Sequence, residues 1–253
     1  MATPEIDILG PMRIAVDGKE SCLTGQKLRC ILAVLSLRAG QPVRRDELIE
    51  ELRLTETSDA SNSLHAHIAR LRRWLRMQSV DSGILESVDS SYRLNIDRGA
   101  VDAYIFEDRV EQALALYPSA PSVVAVMLTE ALAMWRGDAL ADVDDGPFVA
   151  SKTEELRHLR ATAREILLSA WLDTGQDRRV ILNARRFLDA DPLNEQLWES
   201  LIVALRRANR YAEASKAFRE ANLLYHAELG IAPGDRLRIA LSGPIPERLT
   251  ADR

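Results

Sequence analysis

Four arginines, Arg70, Arg72, Arg73 and Arg76, fall within seven consecutive positions of the stretch DASNSLHAHIARLRRWLRMQSV, residues 59–80. No carboxylate lies between Asp59 and Asp81, although the 253-residue chain carries a formal charge of −5. Guanidinium groups are permanently charged planar forks that match phosphate oxygens and the O6/N7 edge of guanine, so the chemistry on offer is recognition of a polyanion. Leu64, Ile68, Leu71 and Leu75 recur at i, i+4, i+7 and i+11, which predicts a helix with one buried stripe. Asn62, Ala66, Ala69 and Arg73 then point directly away from it, flanked by Arg70, Met77 and Arg76. A small outward centre with a cationic rim suits a helix lying in a duplex major groove. A solvated basic face on an ordinary surface helix has the same local pattern, so the flanking elements must decide.

Composition sets the bounds. Hydrophobic residues at 47% and charged residues at 28% describe a water-soluble globular chain long enough for one large or two ordinary domains. No apolar run approaches the roughly 20 residues needed to cross a bilayer, and the start MATPEIDILG lacks a signal-peptide layout, so a cytoplasmic protein with no membrane contact is expected. Cys22 and Cys30 make neither a disulfide framework nor a zinc site. Residues 1–100 carry 14 basic and 14 acidic side chains and the remainder 19 and 24, so a neutral part with one basic helix precedes an acidic part. Phosphates respond to the local field within a Debye length of about 8 to 10 Å, and an acidic total leaves nucleic-acid binding open.

Short alternating runs, IDILG, MRIAV and SCLTG, separated by Gly10-Pro11 and Asp17-Gly18, predict a small antiparallel sheet over residues 5–24. Leu28, Ile31, Leu32, Leu35 and Leu37 predict a mostly buried helix ending near Gly40, and Gln41-Pro42-Val43 reads as an extended link. Asp46 is expected to cap a short helix through Leu48, Ile49 and Leu52, and Ser58 or Asp59 to cap the basic helix. Residues 84–88 and 92–96 alternate around Asp89-Ser90-Ser91, which predicts a β-hairpin directly behind that helix. Sheet, three helices and hairpin in this order describe a winged helix-turn-helix, in which the third helix enters the major groove and the hairpin lies over the neighbouring backbone.

The segments ILGPMRI, LTGQKLRCILAVLSLRAGQPVRRDELIEEL, NSLHAHIARLRRWL and SYRLNID resemble the DNA-binding domain of the Streptomyces antibiotic regulatory protein family, whose fold is OmpR-like. The resemblance covers nearly the whole chain. It implies base contacts from Ala66, Arg70 and Arg73, a phosphate contact from Arg72, and wing contacts from Tyr92 and Arg93; Asn62 and Arg76 complete the expected DNA-binding set from their place on the outward face. Two departures stand out. Arg53 replaces the family's usual Trp at the close of the second helix, and Ser91 replaces the Gly that commonly precedes the wing tyrosine.

From Val101 onward only helical periods occur, broken by Pro118, Gly137, Gly146-Pro147, Gly175, Asp191-Pro192, Gly230 and Pro233-Gly234. TGQDRRVILNARRFLDADP and RANRYAEASKAFREANLL echo each other at an offset of 34, with Ala170 matching Ala204, Gly175 matching Asn209 and Arg185 matching Arg219. That is the tetratricopeptide length, so residues 99–253 are expected to form an all-α tetratricopeptide-like domain after an α+β winged-helix domain over residues 1–98. Trp135, Trp171, Trp198, Phe187 and Phe218 are expected in its core, and Asp138, Asp142, Asp144 and Asp145 read as a solvated acidic loop without EF-hand spacing. The segment ALAMWRGDALADV and the stretch from DPLNEQLW to GIAPG resemble the family's bacterial transcriptional activation domain, which implies protein contacts including self-association and RNA polymerase engagement.

No phosphate loop, GxGxxG, HExxH or GxSxG is present, and His65 and His67 at i, i+2 point to different faces of their helix. No cofactor, metal or catalytic residue is expected. The resemblance implies a transcription activator of a secondary-metabolite gene cluster, binding direct repeats in double-stranded promoter DNA as a homodimer and recruiting RNA polymerase holoenzyme. A repressor on the same scaffold, or an adaptor whose repeats recruit peptides, are the rival readings.

Overall fold

Asp17 and Gly18 both take left-handed backbone, with φ of 50° and 73°. This is the two-residue turn whose twist matches that of the strands it joins, here β2 (Arg13–Val16) and β3 (Lys19–Ser21). Strand β1 (Pro4–Asp7) pairs antiparallel with β2, so the expected sheet has the order β1-β2-β3. The structure is a computed structural model and describes residues 4–54, 59–81, 83–144 and 146–244. Ser58 and Asp145, named above as a cap and a loop carboxylate, lie outside the described residues.

Helix α1 (Gln26–Ser36) is followed by β4 (Pro42–Arg44), α2 (Arg45–Glu51), α3 (Ala60–Met77) and the hairpin β5 (Leu85–Val88) and β6 (Ser91–Leu94). The segment read as an extended link is therefore a strand, and it makes a second sheet of order β4-β6-β5. One cap assignment is corrected, and the other holds in position but not in its side-chain bond. Helix α2 begins at Arg45 with Arg44 as its N-cap, and Asp46 sits in the first turn, where a carboxylate favours the helix dipole. Asp59 occupies the N-cap of α3 but makes no side-chain capping bond; it accepts from the Asn62 amide at 2.8 Å.

Leu64, Ile68, Leu71 and Leu75 are each no more than 2% exposed. This stripe packs α3 on α1 and α2. Burying each leucine or isoleucine contributes about 1.5 to 3 kcal/mol, enough to fix the rotation of α3 and with it the direction of its opposite face.

Two compact units form, one of Met1–Arg109 with Ala131–Arg160 and one of Val110–Glu130 with Ala161–Arg253. In the first, Asp102 at the start of α4 (Asp102–Leu116) accepts from the backbone N–H of Ile8 at 2.7 Å and of Leu9 at 3.1 Å, while Arg136 donates its own N–H to the Leu9 carbonyl at 2.8 Å. Asp142 of the acidic loop is a structural acceptor, taking the Met12 N–H at 2.7 Å and pairing with Arg29 at 2.8 Å.

Asp102 is 7% exposed, and burial, outweighing its two N–H donors, pushes its carboxyl up to about 6. A folded-state value above the unfolded one means that the folded chain holds this proton more tightly. The associated stability is therefore full below about pH 4 and is lost as pH rises through about 6, by about 2 to 3 kcal/mol. Urea unfolding of wild type and Asp102→Asn across pH 4 to 7 checks this, with the falling limb expected in wild type and flattened in the variant; parallel curves count against it.

In the second unit α7 (Asp177–Ala190), α8 (Glu195–Arg207), α9 (Tyr211–Leu229) and α10 (Asp235–Ser242) stack, α8 packing on the other three. The offset of 34 is structural. Gly175 and Asn209 are both left-handed, with φ of 71° and 59°. The bond Gln176 N–H to Trp171 carbonyl (2.7 Å) recurs as Arg210 N–H to Leu205 carbonyl (2.8 Å). Trp171 and Trp198 are buried as expected, whereas Phe187 and Phe218 are half-buried. The remaining helices are α5 (Pro121–Ala133) and α6 (Pro147–Asp173), and among the described residues no helix is long and apolar enough to cross a membrane.

Candidate nucleic-acid interface

With the stripe of α3 buried, Asn62, His65, Ala66, Ala69, Arg70, Arg73, Arg76 and Met77 are all exposed on the opposite side. Met77 is 73% exposed, an apolar side chain at the rim of a cationic surface. None of Arg70, Arg73 and Arg76 is paired with a carboxylate among the described residues, so three full positive charges face outward beside two alanines. His67 stands at the edge of this face, and burial together with the Arg70 and Lys27 cations holds its imidazole below the ordinary value, neutral at physiological pH. The Asn62 amide is already engaged with Asp59.

Arg72 is half-buried. Its Nε donates to the Leu85 carbonyl at 3.0 Å and an Nη to the Ser87 hydroxyl at 3.0 Å, which ties the last turns of α3 to the first strand of the hairpin. The Tyr92 ring lies below it, 6.0 Å from the guanidinium carbon. Tyr92 is only 2% exposed, which corrects its assignment as a wing contact: its ring belongs to the core between β6 and the arginines and offers a duplex no face. Arg93 is half-buried and donates across the strands to Glu86 at 2.7 Å, and this guanidinium holds the Glu86 carboxyl below the usual range. The charge of Arg93 is thus already balanced within the hairpin.

The two departures from the family pattern are accommodated differently. Ser91 begins β6, paired with Val88 and Arg44, and the left-handed residue of the wing turn is Asp89, with φ of 49°, so no glycine is needed before Tyr92. Arg53 is exposed and left-handed with φ of 52°, where a bulky side chain is strained.

Arg45 was missed by sequence. Its backbone N–H donates to the Ser90 carbonyl at 3.0 Å, its Nη2 to the Asp89 carbonyl at 3.1 Å, and its guanidinium carbon lies 5.6 Å from the centroid of the Tyr92 ring, the same ring that underlies Arg72. One signal was available. An arginine as the first residue of a helix opposes the helix dipole.

Residues 18–94 match the model for the carboxy-terminal domain of transcriptional regulatory proteins, and residues 101–241 match the bacterial transcriptional activator domain. The transcriptional regulator RedD of Streptomyces coelicolor is 34% identical over 238 residues, spanning 92% of this chain and 68% of that protein. Regulatory protein DnrI of Streptomyces peucetius is 27% identical over 242 residues, 92% of this chain and 89% of its own length. The solved structure of Mycobacterium tuberculosis EmbR in complex with a low-affinity phosphopeptide superposes with a TM-score of 0.86 at 27% identity, over 95% of this chain and 64% of that one. An activator domain over more than half of the chain, behind a winged helix whose outward helix carries Arg70, Arg73 and Arg76 without a carboxylate partner among the described residues, settles the assignment: the chain belongs to the Streptomyces antibiotic regulatory protein family of DNA-binding transcriptional activators.

Proposed function

We propose that α3 is the recognition helix of an activator of secondary-metabolite genes, read out through Ala66, Arg70 and Arg73 at base edges, with Asn62 and Arg76 beside them and Arg72 on a backbone phosphate. The observation that carries this reading is the outward face of α3, where two alanines allow close approach and three guanidiniums lack carboxylate partners among the described residues. Arg93, balanced by Glu86, serves the wing by fixing its two strands.

Residues 1–98 supply the DNA contacts in this reading, and residues 99–253 hold two copies together on direct repeats in the promoter and engage RNA polymerase in the cytoplasm. Stacked helix pairs offer an extended surface suited to partner helices. Among the described residues of the second unit, Leu182, Tyr211, Leu223 and Ile239 are each more than half exposed, as a contact surface requires.

Arg72→Ala tests the division of labour. Affinity for specific and scrambled duplexes should fall by the same factor, and the slope of log affinity against log salt should drop by about 0.9, the signature of one lost phosphate contact. Fluorescence anisotropy at two salt concentrations reads both quantities. A loss confined to the specific duplex would reassign Arg72 to a base.

A further inference from the structure

We propose that Arg45 is a second phosphate anchor of this surface, set at the foot of the wing to grip the sugar-phosphate backbone of the same duplex. The proposal rests on the DNA-binding reading above and adds a residue that neither spacing nor resemblance assigned.

The neighbouring arginines provide the contrast. Arg38 pairs with Glu47, Arg44 with Asp46 and Arg93 with Glu86. Arg45 and Arg72, the two cations against Tyr92, have no carboxylate partner among the described residues; their donors go to the Asp89 and Leu85 carbonyls and the Ser87 hydroxyl. Two like charges held at one aromatic ring repel, and the Nε of Arg45 is buried without a hydrogen-bond partner. A third cost is the helix dipole, since Arg45 opens α2.

An anion beside the Arg45 guanidinium offsets two of these costs, the like-charge repulsion and the opposed helix dipole. The bond to the Asp89 carbonyl spends one Nη2 donor and ties the head group to the wing turn, leaving the Nη1 donors for phosphate oxygens. The element that bears Arg45 also favours a phosphodiester, because in a helix-turn-helix the helix before the recognition helix crosses the nucleic-acid backbone.

The test uses the full chain and a 30-base-pair duplex of random sequence, since a phosphate contact is independent of sequence, titrated between about 50 and 200 mM KCl. Wild type is compared with Arg45→Ala, Arg72→Ala and Arg13→Ala, the last removing a charge paired with Glu20 on the amino-terminal sheet. Arg45→Ala should reduce the salt slope by about 0.9, so that across this range wild type loses about three- to fourfold more affinity than the variant does. Arg13→Ala should keep the wild-type slope, and thermal unfolding should show all variants folded. A wild-type slope in Arg45→Ala, or an equal reduction in Arg13→Ala, overturns the inference while the DNA-binding reading stands. Absence of salt-dependent duplex binding by wild type overturns that reading itself.

Discussion

Replacing Arg70 and Arg73 together by alanine should lower affinity for the cognate promoter site by about 2 to 6 kcal/mol, each bidentate base contact contributing about 1 to 3 kcal/mol of discrimination. Both side chains are exposed, lie opposite the buried stripe and have no carboxylate partner among the described residues, so their removal leaves no core group unsatisfied and no cavity. The melting temperature should therefore stay within a degree or two of wild type. The two positions are three apart on one helix and share a stretch of groove, so the double loss need not equal the sum of the single ones. What distinguishes base reading from general attraction is the scrambled duplex. There the double variant should lose only its share of the salt-dependent term, and the ratio of specific to non-specific affinity should collapse towards one. An equal loss on both duplexes would show that Arg70 and Arg73 act only as charges, and the recognition role of α3 would go with them.

The face that carries this prediction was legible in the sequence because its cause is local. Four apolar residues at helical spacing fix which side of α3 is buried, and everything opposite follows by rotation. The Asp17-Gly18 turn and the repeat of 34 were readable for the same reason, since left-handed backbone at Gly18, Gly175 and Asn209 is favoured by those residue types within their own turns. Interactions that close over long sequence separations stayed hidden. Tyr92 in a wing strand reads as a contact residue by position, yet the β4-β6 pairing turns it inward, and β4 itself looked like a link because a three-residue strand containing proline carries almost no pattern. Arg45 reaches the wing turn across 44 positions, and the Asp102 bonds to Ile8 and Leu9 span 94 and 93. Neither partner set can be found by periodicity.

Gly146→Ala should cost about 4 kcal/mol of stability, although Gly146 lies outside the DNA-binding face. Its φ is not positive, so the glycine serves space and not conformation. A Cβ at this position would sit 2.5 Å from the Glu51 carbonyl oxygen and 2.6 Å from its Oε1, distances real Cβ atoms do not tolerate. Glu51 ends α2, is 5% exposed, and its carboxylate accepts from the backbone N–H groups of Phe148 at 2.9 Å and Val149 at 3.0 Å. One buried charge thus caps the start of α6, where free N–H groups and the helix dipole favour an anion. An added methyl cannot be absorbed by the carboxylate swinging away, because the Glu51 backbone oxygen is equally close. Overpacking of this kind costs about 1 to 3 kcal/mol, and loosening the two charge-assisted bonds adds about 1.5 to 3 kcal/mol. Domains of this size hold roughly 5 to 15 kcal/mol in all, so a loss of 4 leaves the variant marginal at 37 °C. Because α2 packs directly on α3, the damage should appear in duplex binding only where the unit begins to unfold. At low temperature the folded fraction should bind with wild-type affinity and salt slope, unlike the Arg70, Arg72 and Arg73 variants. Urea midpoints for wild type, Gly146→Ala and Glu51→Gln check the size of the effect, with Glu51→Gln expected between the other two because it keeps the shape and loses the charge. A midpoint for Gly146→Ala corresponding to less than about 1 kcal/mol, the range of ordinary surface substitutions, would mean that Glu51 does not meet α6 in this way.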